Sequence, residues 1–156
     1  MTNVTRILLP NEGLGGRRLA LGATIHLRET LLSFYFIHAA TRISNEHRIE
    51  QLRVALDDLN TRHAKTERAV VLGDFNTLTG KDVDSTTRLF EGAGFSTPFS
   101  PSRTTWKTFI IELKLDWLWL RNLSASDYGI DRKVRLSDHW PLWVEVSLQA
   151  ASAEKH

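Results

Sequence analysis

The stretch that decides the fold is AVVLGDFN at residues 69–76. Its four leading apolar residues are typical of a short strand that is buried on both faces. Gly73 ends this strand, so Asp74 and Asn76 follow it directly at the edge of the predicted sheet. Polar side chains held there by a rigid strand can converge on one point, which indicates a catalytic or binding site. A Gly-Asp pair after a strand is also a common turn, and this structural explanation stays open.

A second polar cluster, SDH at residues 137–139, comes directly before an apolar segment that is predicted to be the last strand. Together, the two clusters place two carboxylates, a carboxamide and an imidazole at strand ends. This combination of side chains suits metal-assisted attack of water on a phosphate ester.

The composition limits the kinds of protein that this chain can be. Its 156 residues, of which 42% are hydrophobic, fit one globular domain. Without cysteine there is no disulfide or thiolate metal site, so a bound metal would need oxygen or imidazole ligands, as Mg²⁺, Mn²⁺ and Ca²⁺ do. The formal net charge of +2 is compatible with a polyanionic partner, although an ordinary solvated surface is the simpler explanation.

No targeting or membrane-spanning segment is predicted. The N-terminus has no basic segment followed by a long apolar core, and the longest apolar stretch, residues 31–40, contains Ser33 and His38. A cytoplasmic location is therefore the default expectation.

Hydrophobic periodicity predicts an α/β protein in which strands outnumber helices. Ile49, Leu52, Leu56 and Leu59 recur at helical spacing and predict a helix over residues 44–62, with a second helix over 84–91. The predicted strands are residues 18–27, 31–37, 69–72, 109–111, 115–120 and 140–148. Residues 150–156 are predicted to be a disordered tail.

Trp106 stands apart from the other four tryptophans, which we expect mostly in the core. It lies in the polar stretch TTWK at residues 104–107, where we expect it to cap a sheet edge. Stacking on a nucleobase and contact with a lipid headgroup are the alternatives.

Four motifs in order resemble those of the endonuclease/exonuclease/phosphatase superfamily, over nearly the whole chain. They are FIH at 36–38, GDFN at 73–76, LDW at 115–117 and SDH at 137–139. The resemblance implies a four-layer αββα sandwich of the deoxyribonuclease-like type. It also implies a phosphodiesterase or nuclease-like hydrolase that depends on Mg²⁺ or Mn²⁺. The motifs do not distinguish among DNA, RNA, phosphoinositide, phospholipid and small-ester substrates.

The resemblance further implies a role for each site residue. Asp74 would orient or deprotonate the attacking water, and Asn76 would donate its amide to a phosphoryl oxygen. His139 would bind the scissile phosphate with Asp116 as its orienting partner, and His38 would add a second hydrogen bond. The metal would be held by Asp138, Asp74 and Asn76. For His38, a satisfied strand-end histidine is the structural alternative.

The sequence departs from the family pattern on its N-terminal side. Family domains are longer, and the Asn and the metal-binding Glu of their N-terminal half have no matching context here. Residues 1–149 are therefore expected to be the C-terminal portion of such a domain, with an incomplete sandwich. The apolar sheet face that this leaves open would be covered by a homodimer or a partner chain.

Two other functions stay open at this point. A catalytically impaired fragment or pseudoenzyme would act only as a binding module, because a site without the Glu would hold Mg²⁺ weakly. A nucleic-acid-binding module is the third candidate. Its basic and aromatic residues would be Arg103, Trp106, Lys107, Arg132, Lys133 and Arg135.

Overall fold

The computed structural model describes residues 1–10, 17–62 and 67–148, and the tail predicted for residues 150–156 lies outside them. The strands are β1 (Thr2–Leu8), β2 (Leu19–Leu27), β3 (Thr30–His38), β4 (Arg68–Asp74), β5 (Trp106–Thr108), β6 (Ile111–Leu113), β7 (Asp116–Arg121), β8 (Ser124–Ile130) and β9 (Leu142–Ser147). The helices are α1 (Asn45–Arg62) and α2 (Gly80–Gly92).

A five-stranded sheet in the order β1-β2-β3-β4-β7 forms the centre of the molecule. The strands β3 and β4 are parallel and are connected through α1, whereas the other neighbouring strands of this sheet are antiparallel. Two further antiparallel pairs, β5-β6 and β8-β9, complete the described strands. The three sheets therefore combine parallel and antiparallel pairing, as expected for an α/β fold.

Both helices pack on one face of the central sheet. The core there contains Tyr35 of β3 and the aromatic residues Trp117 and Trp119 of β7, whose rings stack with centroids 5.3 Å apart. The ring of Phe90 from α2 stacks on Trp119 with centroids 5.0 Å apart. Burial of this aromatic layer fixes the helices against the sheet.

A buried ion pair joins the two helices to each other. Arg48 of α1 donates to Asp82 of α2 over 2.7 Å, and both side chains are buried. Asp82 also accepts from the backbone N–H and the hydroxyl of Thr79, which closes a capping box at the start of α2. This cap explains why α2 begins before Asp84, where the sequence predicted its start.

The pair β8-β9 covers part of the opposite sheet face. Its residues Leu142 and Val144 pack against a core that includes Val70, Leu118 and Leu120. The described residues thus form a helix layer, a central sheet and a partial second sheet, which confirms the predicted α/β sandwich. No helix among them is long and apolar enough to cross a membrane.

The rest of this face is exposed. Leu8, Leu21 and Phe36, which lie on the same side of β1, β2 and β3, are each exposed by two-fifths or more of their surface. This strip is the surface for which the sequence predicted a homodimer or a partner chain. That partner stays a prediction.

Most predicted elements are confirmed, and one is wrong. The helix at 44–62 and the strands at 18–27, 31–37, 69–72, 115–120 and 140–148 all have counterparts. Phe109 and Ile110, predicted as strand, instead form the turn between β5 and β6. Phe109 has a φ of 48°, a left-handed conformation that suits a tight turn and does not fit a strand. The strands β1, β5 and β8 were not predicted.

Candidate active site

The ends of β3 and β4 and the start of β7 place three predicted site residues at one sheet edge. His38 is the register partner of Asp74 across β3 and β4, and Asp74 is the register partner of Asp116 across β4 and β7. Gly73 allows this arrangement, because it has a φ of 137° and a Cβ atom there would collide with the carbonyl oxygen of Ile37. The backbone geometry therefore requires the glycine of the Gly-Asp motif, whatever the chemistry of Asp74.

Asp74 and Asn76 form one hydrogen-bonded unit. Asp74 Oδ1 accepts from the backbone N–H of Asn76 over 2.9 Å, and Asn76 Nδ2 donates to the carbonyl of Ala39 over 2.9 Å and to Asp74 Oδ2 over 3.3 Å. In this arrangement both amide hydrogens of Asn76 are in use, so a phosphoryl oxygen would have to replace the longer bond to Asp74. The predicted role of Asn76 stays a prediction.

The environment makes Asp74 a stronger base than an exposed carboxylate. Burial raises the pKa of Asp74, and the nearby charge of Asp116 raises it further. The backbone N–H of Asn76 and the two imidazoles, His139 and His38, oppose this increase without cancelling it. A carboxylate of this kind suits proton abstraction from water.

His139 and Asp116 form the predicted pair. His139 Nδ1 lies 2.8 Å from Asp116 Oδ2. Burial disfavours the imidazolium, but the hydrogen bond and charge of Asp116, together with Asp74 and Asp138, raise the pKa of His139. The ring is thereby kept protonated to higher pH, as a group that binds an anionic phosphate requires.

Thr105 holds the start of β7 in place. This residue is fully buried, and its hydroxyl oxygen accepts from the backbone N–H groups of Leu115 and Asp116 over 3.0 and 2.8 Å. Thr105 therefore fixes the backbone of Asp116, whose side chain contacts His139. The sequence analysis missed this residue, because the contact joins two loops that are ten positions apart.

Asp138 is exposed and is held by Trp106. The indole N–H of Trp106 donates to Asp138 Oδ2 over 2.7 Å, which lowers the pKa of this carboxyl. A bridge between Trp106 and His139 and a bond from the N–H of Lys107 to the carbonyl of Asp138 align β5 with the SDH cluster. Trp106 thus lies in a short strand, although a loop position was predicted. It supports the loop that carries the SDH cluster at residues 137–139, which we call the site loop.

Arg18 is a further cation at the site that sequence reasoning missed. Its Nη1 atom lies 3.1 Å from His38 Nε2, and this ring nitrogen lies 3.7 Å from Asp74 Oδ2. Burial and then the charge of Arg18 lower the pKa of His38, so His38 loses its proton at lower pH than an ordinary histidine, whereas His139 keeps its proton to higher pH. The only signal in the sequence was a basic residue directly before β2.

Lys114 is a buried cation behind the site. It is 4% exposed, and its Nζ atom lies 4.7 Å from the ring centroid of Trp117 and 5.4 Å from that of Phe99. Among the described residues this ammonium group has no hydrogen-bond partner. Burial lowers its pKa to about 8.

The predicted metal ligands fit Mg²⁺ by chemistry. Asp74, Asn76 and Asp138 offer hard oxygen donors, and Mg²⁺ is usually held by one or two carboxylates together with water and substrate phosphate. Within residues 1–10, 17–62 and 67–148, no group of three or more His, Asp or Glu side chains is arranged to hold a metal. A complete protein cage is therefore not formed by the described residues.

A cleft of about 370 Å³ opens beside these groups. Asp74, Asp116 and His139 are among its polar lining residues, and Phe36 and Trp140 are among its apolar ones. The cleft therefore offers apolar and aromatic contacts beside the groups that would hold a substrate phosphate.

Comparison with known proteins agrees with this geometry. The sequence matches the Endonuclease/Exonuclease/phosphatase family over residues 3–139. No curated protein matches the chain at the level of overall sequence.

The fold is similar to that of three solved structures. D. rerio TDP2 complexed with single strand DNA product is 20% identical, with a TM-score of 0.74 over 94% of this chain and 67% of that one. The human Nocturnin catalytic domain with bound sulfate is 20% identical, with a TM-score of 0.68 over 94% and 58%. A Bacteroides thetaiotaomicron mannosyl-6-phosphatase is 18% identical, with a TM-score of 0.70 over 93% and 66%.

These identities support the fold alone, and the chain spans about three-fifths to two-thirds of the length of these structures. The family match, by contrast, covers most of the sequence and includes all four motifs at the site. The chain belongs to the Endonuclease/Exonuclease/phosphatase family and has its α/β sandwich fold.

Proposed function

We propose that this chain hydrolyses phosphate esters by attack of water that is activated at Asp74, in a reaction that depends on Mg²⁺ or Mn²⁺. The observation that supports this proposal is that Asp74 and His139, both of raised pKa, line one cleft. A carboxylate that accepts a proton more readily and an imidazole that keeps its proton to higher pH suit the roles of base and phosphate-binding cation.

Each side chain has a role that follows from its protonation state. Asp74 accepts a proton from the attacking water, and His139, charged through its bond to Asp116, binds the phosphate and neutralises its developing negative charge. His38 donates one hydrogen bond to a phosphoryl oxygen, and Arg18 adds a fixed positive charge beside it. A divalent cation held by Asp74, Asp138 and Asn76 would supply further charge neutralisation at the phosphoryl oxygens.

The substrate class that we propose is a phosphate mono- or diester, with nucleic acid among the candidates. D. rerio TDP2 was solved with a single strand DNA product, and the B. thetaiotaomicron protein is a mannosyl-6-phosphatase. The structural neighbours therefore include one protein bound to a DNA product and one sugar phosphatase. In this fold, the loops are expected to determine substrate specificity, whereas the residues at the strand ends are expected to carry out the reaction.

The proposal is tested by hydrolysis of bis(p-nitrophenyl) phosphate and p-nitrophenyl phosphate in the presence of Mg²⁺ or Mn²⁺. His139→Ala and Asp74→Asn should each lower kcat/KM by at least about a hundredfold, because each removes a group that acts in the transition state. His26→Ala is the matched control, since His26 contacts Thr2 at the exposed end of β2. Equal activity in wild type and His139→Ala would refute the proposal.

A binding module without turnover is the second candidate. The observation that favours it is that, among the described residues, no three His, Asp or Glu side chains are grouped so that they could hold a metal ion. In that case, hydrolysis would be absent from folded protein, while a phosphorylated oligonucleotide would still bind and His139→Ala would weaken that binding. Hydrolysis by the folded protein therefore distinguishes the two candidates.

A further inference from the structure

Four apolar side chains project into solvent on one side of the site loop, and we call them the apolar tip. Phe109 and Ile110, in the turn between β5 and β6, are each 95% exposed, and Ile111 is 53% exposed. Leu136, directly before the SDH cluster, is 98% exposed. Side chains this apolar are seldom so exposed together unless they bind a partner.

The strand register brings the members of the apolar tip together. Trp106 forms an antiparallel bridge with His139, and the N–H of Lys107 donates to the carbonyl of Asp138. The turn follows β5 directly, and Leu136 precedes the SDH cluster directly, so the antiparallel contact brings the turn and Leu136 to the same end. The apolar tip is therefore one projection built from two segments.

Unpaired positive charge flanks the apolar tip. Lys133 and Arg135 precede Leu136 and are exposed, and neither forms an ion pair with an acidic side chain of the described residues. Other cations nearby are already in use, since Lys107 contacts Glu112 over 3.0 Å and the guanidinium of Arg132 lies over the ring of Trp140. The free charges thus lie on the Leu136 side of the projection.

We propose that the apolar tip docks this protein on an anionic lipid surface. Apolar side chains that protrude from a convex hairpin, with cations beside them, match the layer where acyl chains meet negatively charged headgroups. A protein partner of the same chemistry would need a groove shaped to receive a projection. The fluid lipid interface needs no such complementarity.

The composition of the apolar tip favours lipid over nucleic acid. Bases stack on aromatic rings, and Phe109 is the single aromatic residue among the four. Ile110, Ile111 and Leu136 have no planar surface for stacking, whereas each gains fully from transfer into hydrocarbon. Trp106, the aromatic residue proposed from sequence for base or headgroup contact, is engaged with Asp138 instead.

This docking goes beyond the proposed hydrolysis and does not depend on it. Asp138 and His139 follow Leu136 closely, so a docked chain would hold the site loop near the headgroup region. Lipid binding is measured without substrate or metal. Failure of the hydrolytic proposal would therefore leave this result unaffected, and the reverse also holds.

The test is co-sedimentation of the full chain with vesicles of phosphatidylcholine, with and without phosphatidylserine. We expect binding that requires phosphatidylserine and falls at least about tenfold in the double variant Phe109→Ser/Ile110→Ser, because two apolar anchors are lost. Lys133→Gln/Arg135→Gln should lower binding roughly tenfold at low salt. Circular dichroism and thermal unfolding confirm that the variants fold, which their exposure predicts.

The control is Leu27→Ser/Leu31→Ser, which removes two exposed apolar side chains beside the turn between β2 and β3. This variant should bind vesicles as the wild type does. Absence of vesicle binding by the wild type, or equal loss in the control variant, would overturn the proposal. So would binding of a single-stranded oligonucleotide that is lost in Phe109→Ser/Ile110→Ser while no vesicle binds, since the apolar tip would then contact nucleic acid.

Discussion

His139 Nδ1 lies 2.8 Å from Asp116 Oδ2, and Asp116 stands opposite Asp74 in the register of β4 and β7. The carboxylate of Asp116 therefore contacts the imidazole directly, while the half-buried carboxylate of Asp74 lies on the neighbouring strand. Because of this arrangement the pKa of Asp74 and the pKa of His139 are both raised. The site thus contains a base that accepts a proton readily and an acid that stays charged.

Asp116→Asn should lower the pKa of His139. The raised pKa keeps the imidazolium populated to a pH above the ordinary value of 6.5, and activity that needs this charge falls as the pH rises through it. Without the carboxylate, the alkaline limb of the kcat/KM profile should move to lower pH, and the rate at neutral pH should fall roughly tenfold to a hundredfold. NMR titration of the His139 ring protons measures the shift directly.

The control for this measurement is Asp57→Asn, because Asp57 is an exposed carboxylate on α1, away from the sheet edge. It should leave the titration of His139 unchanged. An unaltered titration in Asp116→Asn would mean that the 2.8 Å contact does not set the charge of the ring.

Arg18→Gln should raise the pKa of His38. Burial is the first cause of its low pKa and the Arg18 charge is the second, so removing that charge leaves burial opposed by Asp74. His38 would then be protonated at higher pH than in the wild type. Arg18→Lys keeps the charge and should keep the pKa low. NMR titration of the His38 ring distinguishes the two variants. If His38 titrated identically in Arg18→Gln and Arg18→Lys, the electrostatic role of Arg18 would be excluded.

The sequence predicted the parts of the site that depend on strand order. Asp74 was recognised because it follows an apolar strand, and Asp116 and His38 were recognised through the motifs that resemble those of the family; strand register then brings the three together. Thr105 and Arg18 could not be recognised in this way. Their contacts join segments that only the folded backbone places side by side, and no local pattern marks them.

The elements that were missed or wrong have a common physical cause. Ser124–Ile130, which is β8, has few large apolar residues, and its pairing with β9 is made by backbone hydrogen bonds. Phe109 and Ile110 are apolar yet exposed. The hydrophobic pattern identifies a strand only where the side chains are buried. It therefore missed β8 and wrongly predicted a strand at Phe109 and Ile110.

Thr105→Val should destabilise the fold and disturb the site together. The change removes the acceptor of two buried N–H groups, and each such loss costs about 1–3 kcal/mol. Urea unfolding should therefore show a lower free energy of unfolding, and the titration of His139 should shift because Asp116 is less well fixed. Thr105→Ser keeps the hydroxyl and should restore both properties. If Thr105→Val lowered the free energy of unfolding but left the titration of His139 unchanged, the role of Thr105 would be purely structural.

Lys114→Met should stabilise the protein near neutral pH. The folded-state pKa of about 8 lies below the ordinary value of 10.5, so the charged amine disfavours folding below pH 8. That cost shrinks as the pH rises from about 8 to 10.5 and vanishes above this window. Methionine fills a similar volume without charge, and we expect about 1–2 kcal/mol of added stability after the loss of the contacts with Phe99 and Trp117.

The measurement is urea unfolding of wild type and Lys114→Met at several pH values across this window. The difference in free energy of unfolding should be largest near pH 7 and should narrow toward pH 10.5, because the wild type then folds with a neutral amine. Lys133→Met, which removes an exposed ammonium group, should show no such narrowing. A difference for Lys114→Met that is constant with pH would mean that packing, and not the buried charge, determines the effect.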